Sequence, residues 1–434
     1  MPTLRAFRAL RYAHAPGADL TSRLCPPYDI IASAQHATLL GRDPHNAVRL
    51  ELPEPEPGGP PDSRYAAAAG AIAAWRAQGI LVEDAAPAVT IHAMDFTARD
   101  GTARTATGVL ARLRLEPFSA DGGVRRHERT LTGPKEDRFR LLRATETNLS
   151  PVVLLADAAR AAARTHIDRL TARPPDALAR TDDGSAHRIW ICPEGSGADD
   201  VASLLAALGA GPLTIADGHH RYETALRYRD ERRAAEPAAV DPAWDGILAL
   251  VYPIDDAPPV LPTHRVLLAG PSGAALLAAI ADLVEVEPVA DAAALAARMA
   301  QPAPLPSPDA TGTGRIGLVS GDVAAVLRIR DGVTAGTGTS AASRGLDVNR
   351  LLALLARLGI DDAALAAGDR VAYVKVVGDA LARVQDGAAA AFLLDGPPAS
   401  AVTRVAAAGE VMPQKSTYFD PKAPTGICFG PLGA

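Results

Sequence analysis

The stretch Leu213-Thr-Ile-Ala-Asp-Gly-His-His-Arg-Tyr-Glu-Thr-Ala-Leu226 decides the fold, because it joins a short apolar segment to a polar segment with helical periodicity. Residues 213–216 predict a strand, residues 217–218 a turn and residues 221–235 a helix. A strand that enters a helix through a glycine turn directs backbone N–H groups and the positive end of the helix dipole at one point. The stretch therefore predicts a site for an anion such as phosphate.

Four side chains at this turn carry chemistry. The guanidinium of Arg221 matches the geometry of a phosphate, and Asp217, His219 and His220 each offer a metal ligand, a general base or a general acid. The alternative is structural, because Gly218 suits any tight turn and Asp217 suits a helix cap. We favour a functional site, since charged and protonatable groups clustered within one helical turn are typical of active sites.

The composition limits the classes of function. The chain has 434 residues, enough for two or three domains, and its net charge of −6 disfavours nucleic-acid or anionic membrane partners. Three widely separated cysteines indicate neither a disulfide framework nor a zinc knuckle. Arg5, Arg8 and Arg11 interrupt the N-terminus, and no uncharged apolar run reaches the ~18 residues of a spanning helix. We therefore expect a cytoplasmic protein.

The densest charge cluster lies at residues 125–138. Gly133-Pro134 predicts a helix start, His127 lies on the loop before it, and Lys135 lies where its ammonium reaches a phosphate. The alternative is a solvated helix face, which is the usual role of a charge run. Both interpretations stay open.

Near the C-terminus, Lys415, Ser416 and Thr417 place a cation beside two hydroxyls, a combination used around phosphates and their metal ions. A G-x-x-x-x-G segment does not precede them, so this is not a Walker A loop. The alternative is a plain loop. Because such a segment functions only when it is docked, we predict that the tail packs across the core.

Two N-terminal carboxylates are candidate bases. Cys25-Pro-Pro-Tyr-Asp29 forms a rigid turn that presents Asp29, and residues 46–51 predict a short strand with Arg49 and Glu51 on one face. Alternatively, the proline pair serves only to fix the direction of the chain.

Seven segments together resemble the bacterial and archaeal domain of unknown function 1015 family, from Arg8 to Leu432. The segments are C-P-P-Y-D, H-N-A-V-R-L-E-L-P, R-H-E-R-T-L-T-G-P-K-E-D-R, N-L-S-P, A-D-G-H-H-R-Y-E-T-A, L-P-T-H-R and M-P-Q-K-S-T-Y-F.

The central motif also resembles the G-x-x-R-x-x-A signature of the ParB and sulfiredoxin superfamily, although its alanine, Ala225, comes one place later. His219 stands where sulfiredoxin has its catalytic cysteine, and no basic recognition helix follows Arg221 as in ParB. Neither sulfinic acid reduction nor DNA partitioning is therefore implied. The motif is most similar to that of nucleotide-dependent free serine kinases.

This resemblance implies phosphoryl transfer from ATP, ADP or CTP, with Mg²⁺, to a small hydroxyl-bearing metabolite such as serine. Gly218 and the following amides would hold the phosphates, and Arg221 would stabilise the transferring group. Asp217 or His220 would position the acceptor hydroxyl. Glu51 or Asp29 would take its proton.

We predict an α+β protein with a ParB/sulfiredoxin-like core at residues 1–265, a smaller α/β domain at 266–408 and a docked tail at 409–434. A homodimer is left open. The main alternative function is a nucleotide-binding switch that hydrolyses slowly. A metal enzyme that uses His219 and His220 ranks last, because adjacent side chains on a helix start point in different directions.

Overall fold

Strands and helices follow one another irregularly along the chain. The computed structural model describes residues 1–119, 122–128, 132–195, 198–330, 332–333, 338–361, 364–365 and 368–433. The strands are β1 (Leu4–Arg5), β2 (Leu10–Tyr12), β3 (Ala18–Asp19), β4 (Leu81–Glu83), β5 (Ala88–Thr97), β6 (Ala103–Arg114), β7 (Val124–Arg125), β8 (Thr147–Asn148), β9 (Val152–Ala156), β10 (Ala177–Arg180), β11 (Ala186–Pro193), β12 (Leu213–Asp217), β13 (Gly246–Pro253), β14 (Val260–Leu261), β15 (His264–Leu267), β16 (Val284–Pro288), β17 (Arg315–Ser320), β18 (Val323–Ile329), β19 (Val371–Val374), β20 (Ala390–Leu394), β21 (Tyr418–Phe419) and β22 (Gly430–Pro431).

The helices alternate with these strands without a strict βαβ order. They are α1 (Ser33–Arg42), α2 (Val48–Glu51), α3 (Ser63–Ala77), α4 (Thr132–Thr145), α5 (Arg160–Leu170), α6 (Ala198–Leu208), α7 (His219–Ala235), α8 (Gly273–Ile280), α9 (Ala292–Ala300), α10 (Ala341–Arg344), α11 (Asp347–Arg357), α12 (Val377–Gln385) and α13 (Ala399–Ala407). Among the described residues, no helix is both long enough and apolar enough to cross a bilayer.

The chain folds into two units. The first consists of residues 1–97, 103–258 and 421–434. Its main sheet has the strand order β3-β10-β11-β5-β6-β13-β9-β12-β7, with β1 paired to β6. Most neighbours are antiparallel, but β9 and β13, β3 and β10, and β7 and β12 are parallel. The predicted mixture of helices and strands is confirmed, and the sheet is mixed.

The core of the first unit lies between one face of this sheet and the helices α5, α6 and α7. Ala111 and Leu113 of β6 point into it and pack with Ile167, Leu204 and Tyr222. Burial of each large apolar side chain contributes about 1.5–3 kcal/mol. Because side chains alternate along a strand, the residues between them on β6 face the other side of the sheet.

The second unit consists of residues 98–102 and 259–420. Its sheet has the order β16-β18-β17-β20-β15-β19, and Val266, Leu295 and Leu393 belong to its buried core. The boundary predicted after residue 265 falls inside β15. The apolar pattern does not indicate β15 as a strand, because its first two residues, His264 and Arg265, are polar although both are buried.

The predicted tail is divided between the two units. Residues 409–420 belong to the second unit, where β21 pairs with β14, and residues 421–434 belong to the first, where β22 pairs with β8. The chain therefore leaves the first unit at Pro258 and re-enters it at Pro421.

One predicted strand is a helix. Residues 46–51 were expected to be extended, but Val48–Glu51 forms α2, and the Asn46 side chain accepts a hydrogen bond from the Val48 N–H at 2.9 Å. This local bond favours a turn of helix over an extended chain. Arg49 and Glu51 do not share a face, since Arg49 donates to the Leu40 carbonyl at 2.8 Å.

Candidate functional site

The site begins where β12 ends. The pairing of β12 with β9 shifts register between Ile215 and Asp217, and such a bulge turns the following side chain to a new direction. Gly218 then takes a φ of 92°, a conformation that favours glycine, and α7 begins at His219. The predicted strand and helix are confirmed, each within two residues.

Arg221 folds back over this turn. Its Nη2 donates to Asp217 Oδ2 at 2.5 Å and its Nη1 donates to the Pro151 carbonyl. A Cβ at position 218 would lie 3.0 Å from Arg221 Nε. Glycine is therefore required at 218 for its backbone angle and for the close approach of the guanidinium.

Lys422 joins two carboxylates at the same place. Its Nζ donates to Asp29 and also to Asp217 Oδ1, the latter at 3.1 Å, and its side chain is 8% exposed. Burial raises the pKa of the Asp217 carboxyl, but Lys422 and Arg221 outweigh this and lower it to about 2. Burial likewise lowers the pKa of Lys422, and Asp217 and Asp29 more than reverse this. Asp217, Arg221 and Lys422 are therefore charged at neutral pH.

Glu51 lies beside this group and is 2% exposed. Its carboxylate accepts a hydrogen bond from the Tyr28 N–H at 3.4 Å, and Arg138, which lies over the Tyr28 ring, donates to the Glu51 carbonyl at 2.8 Å. Glu51, Arg138 and Arg221 line a cavity of about 50 Å³. Carboxylates predicted from separate N-terminal segments are thus brought to the turn.

The three candidate histidines differ in burial. His127 is buried, its Nδ1 bonds the Ile215 carbonyl at 2.7 Å, and burial lowers its pKa to about 4. His219 packs edge-on against it at 4.7 Å and also has a pKa well below its usual range, mainly because of burial. Both imidazoles are neutral at pH 7, so they do not provide positive charge for a phosphate. His220 is half-buried.

Lys135, a candidate phosphate contact, forms an ion pair with Glu223 of α7. Arg126 lies 3.7 Å from the same carboxylate. Because Glu223 compensates both cations, the charge cluster links α4 to α7, which matches the structural interpretation of this segment.

Lys415, Ser416 and Thr417 belong to the second unit. The Ser416 hydroxyl donates to the Pro413 carbonyl, and the Lys415 ammonium lies 4.7 Å from the centre of the Tyr373 ring. The turn at Asp217 is therefore built within the first unit without these three residues.

Three residues of the site were missed in the sequence. They are Lys422, Tyr28 and Arg138, and all three lie in segments with recognisable motifs. In the C-terminal motif, the predicted candidates were Lys415, Ser416 and Thr417 instead of Lys422. The available signal was a lone lysine between Pro421 and Pro424, in a segment without periodicity.

The arrangement brings together groups that can bind an anion and carboxylates that can accept a proton. The first turn of α7 directs backbone N–H groups outward, two buried cations adjoin it, and carboxylates lie within the same group. Within the described parts of the chain, no group of three or more His, Cys, Asp and Glu residues is arranged to hold a metal ion.

The comparisons with known proteins gave one family and several distant structures. The model of the family described as "Protein of unknown function (DUF1015)" matches residues 4–349. No curated protein matches the chain. A variant of free serine kinase in complex with ADP is 12% identical, with 74% of this chain and 92% of that chain covered and a TM-score of 0.33.

Two further solved structures are similarly distant. A conserved hypothetical protein from Pyrococcus furiosus is 13% identical, with 74% of this chain and 94% of that chain covered and a TM-score of 0.32. C-terminally truncated SbnI from Staphylococcus aureus is 10% identical, with 72% and 85% covered and a TM-score of 0.28.

Proposed function

The chain belongs to the DUF1015 family of proteins of unknown function, and from the geometry of its turn we propose that it is a nucleotide-dependent phosphotransferase. The acceptor is a small hydroxyl-bearing metabolite such as free serine. Under this proposal the first unit is a ParB/sulfiredoxin-like catalytic core, and the donor is ATP, ADP or CTP with Mg²⁺.

One observation carries the proposal: Asp217, Arg221 and Lys422 converge around Gly218 at the N-terminus of α7. Helix N-termini bind phosphates through backbone N–H groups and the helix dipole. The side chain of Asp217 is 28% exposed and that of Arg221 is 13% exposed, so both are partly accessible to solvent. A phosphate that reached this turn would compete with Asp217 for the two cations.

The roles follow from position. The amides after Gly218 hold the phosphates, while Arg221 and Lys422 stabilise charge on the transferring group. Glu51 takes the proton of the acceptor hydroxyl, because it lines the small cavity beside Arg221 and is more deeply buried than Asp29. A cavity of about 50 Å³ admits a group of a few atoms, which suits a hydroxymethyl group.

Asp29 and Asp217 fit Mg²⁺ that enters with the nucleotide, because both carboxylates already face one cation, the Lys422 ammonium. Bound Mg²⁺ supplies neutralisation of phosphate charge. The competing function is a nucleotide switch with slow hydrolysis, which shares the turn but has no need of a buried base near it.

Calorimetry with ATP, ADP and CTP, each with and without Mg²⁺, tests the donor. We expect one of them to bind with 1:1 stoichiometry. Phosphorus NMR of a mixture with free serine then separates a kinase, which yields a phosphorylated product, from a switch, which yields only free phosphate. Failure of all three nucleotides to bind would contradict both functions.

Arg221→Ala tests the phosphate contact. We expect it to weaken nucleotide binding by about 1–3 kcal/mol, the value of a lost charged hydrogen bond. Arg227→Ala is the matched control, since Arg227 lies on the same helix, is 56% exposed and pairs with Glu136. Equal affinity in the two folded variants would remove Arg221 from the site.

Glu51→Gln tests the base. We expect it to keep nucleotide affinity while turnover falls by a factor of about 10²–10⁴, the usual contribution of a general base. Glu136→Gln, an exposed carboxylate on α4, should keep full turnover. Undiminished turnover in Glu51→Gln would transfer the role to Asp29, which Asp29→Asn would then test.

A further inference from the structure

A second cavity of the first unit lies away from the turn at Asp217. We call this cavity the arginine cleft. Its volume is about 620 Å³, and its lining includes five arginines: Arg5, Arg8, Arg76, Arg112 and Arg114. Pockets for small molecules usually measure about 300–1,000 Å³. The cleft is on the far side of β6 from the core, because Arg112 and Arg114 alternate with core residues along that strand.

Two of these arginines face each other directly. Arg5 of β1 lies opposite Arg112 of β6 in the antiparallel register. Like charges at directly opposite positions destabilise a sheet. Asp241 pairs with Arg5 and offsets part of this repulsion.

Arg112 is held in place by its surroundings. Its stem passes over Gly246, where a Cβ would lie 2.6 Å from Arg112 Cγ, and its guanidinium donates to the Pro431 carbonyl at 2.7 Å and lies over the Phe7 ring. Burial lowers the pKa of Arg112, and the carboxylates of Asp241 and Glu83 offset this only in part. The cation is thus fixed at a position where its charge is poorly compensated.

The acidic residues of the cleft are already paired. Glu83 pairs with Arg76 and Asp241 pairs with Arg5 inside it. The other two acidic side chains that line the cleft are paired with arginines of α7: Glu146 with Arg232 and Asp245 with Arg233.

In the described chain, no carboxylate lies within ion-pair distance of Arg8, Arg112 or Arg114. Arg8 donates to the Ala85 carbonyl, which carries no net charge. Three of the five arginines in the lining are therefore not paired with a carboxylate, and the lining as a whole, with five arginines and four carboxylates, is net positive. Phe7 and Ile72, together with three prolines, supply an apolar wall.

We propose that the arginine cleft is a second ligand site, which binds a small organic anion through its phosphate or carboxylate groups. Guanidinium groups bind both kinds of oxyanion in a bidentate manner, and the apolar wall receives the organic part. The cleft is independent of the proposed phosphotransferase site, so either can fail without the other.

Calorimetry with phenyl phosphate, benzoate and inorganic phosphate at low salt tests this site in the full-length chain. We expect 1:1 binding of phenyl phosphate or benzoate, tighter than that of inorganic phosphate, and the preferred probe identifies the oxyanion. Arg112→Gln should weaken binding at least tenfold, as expected for a lost charged hydrogen bond, and Arg114→Gln, separately, should weaken it about fivefold. Arg221→Ala should leave this binding unchanged.

Arg188→Gln is the matched control, because Arg188 lies on β11, pairs with Asp95 at 2.9 Å and does not line the cleft. Circular dichroism melting establishes whether each variant is folded. If Arg112→Gln does not fold, Arg114→Gln decides the test. The proposal is overturned if no probe binds saturably at millimolar concentration. It is also overturned if Arg188→Gln loses as much affinity as the cleft variants, or if Arg221→Ala abolishes binding.

Discussion

Lys422→Met removes the cation between Asp29 and Asp217 while it keeps an apolar stem of similar length. Lys422 and Arg221 together hold the pKa of Asp217 at about 2. That value is almost two units below the ordinary one, and each unit corresponds to about 1.4 kcal/mol. Since Lys422 is the larger of the two contributions, we expect the variant to lose about 2 kcal/mol of unfolding free energy at pH 7.

A double-mutant cycle with Asp217→Asn isolates the pair. We expect the double variant to lose about 1–2 kcal/mol less than the sum of the single losses, because the second change removes a charge that the first left uncompensated. Arg140→Met is the control, since its pairs with Asp62 and Glu136 are exposed and worth about 0–1 kcal/mol. Urea denaturation measures the unfolding free energies of the wild type, the two single variants, the double variant and the control.

The pH dependence of the same pair has a defined sign. The pKa of Asp217 is lower in the folded than in the unfolded chain, so its stabilisation is present above about pH 4 and is lost as the pH falls towards 2. The gap between the wild type and Lys422→Met should therefore narrow below pH 4. Additivity of the two substitutions within about 0.5 kcal/mol would refute the coupling.

Two further predictions concern backbone and burial. Gly218→Ala should cost about 2–3 kcal/mol, since it combines a positive φ with contact to Arg221, whereas Gly79→Ala, at φ 70° in open space, should cost about 1–2 kcal/mol. If urea denaturation showed equal losses of unfolding free energy for the two substitutions, the contact with Arg221 would not contribute. Burial lowers the pKa of His187 to about 4 and holds that of its neighbour His92 well below its usual range. The free energy of unfolding should therefore fall as the pH drops from about 6.5 to 4, by about 3 kcal/mol for His187. In His187→Gln this decline should be smaller, and an unchanged decline would contradict the assignment.

The turn at residues 213–226 was predictable because its signals are local. An apolar run, a glycine and a polar helix follow one another, and each is recognisable without knowledge of the rest of the fold. Asp29 and Glu51 were predicted as candidate bases from their sequence setting and the family resemblance. Their position beside Arg221 depends on packing of segments more than 160 residues away along the chain.

The remaining parts of the site were out of reach for physical reasons. Lys422 contacts Asp217 across 205 residues, and a contact of that range leaves no periodic pattern in the sequence. His127 and His219 have the residue type of a ligand, but their role depends on the direction of each imidazole. In the fold both turn inward, towards a backbone carbonyl and each other.

Lys422 is the last of the charged residues at the turn to be translated. When a ribosome has translated residues 1–258, both aspartates, Arg221 and all strands of the main sheet have been synthesised, but residues 259–420 of the second unit must still be translated before Lys422. During that interval the aspartates lack their shared ammonium group. A nascent chain therefore carries an immature turn, and the protein gains its finished charge arrangement only when the returning segment has docked.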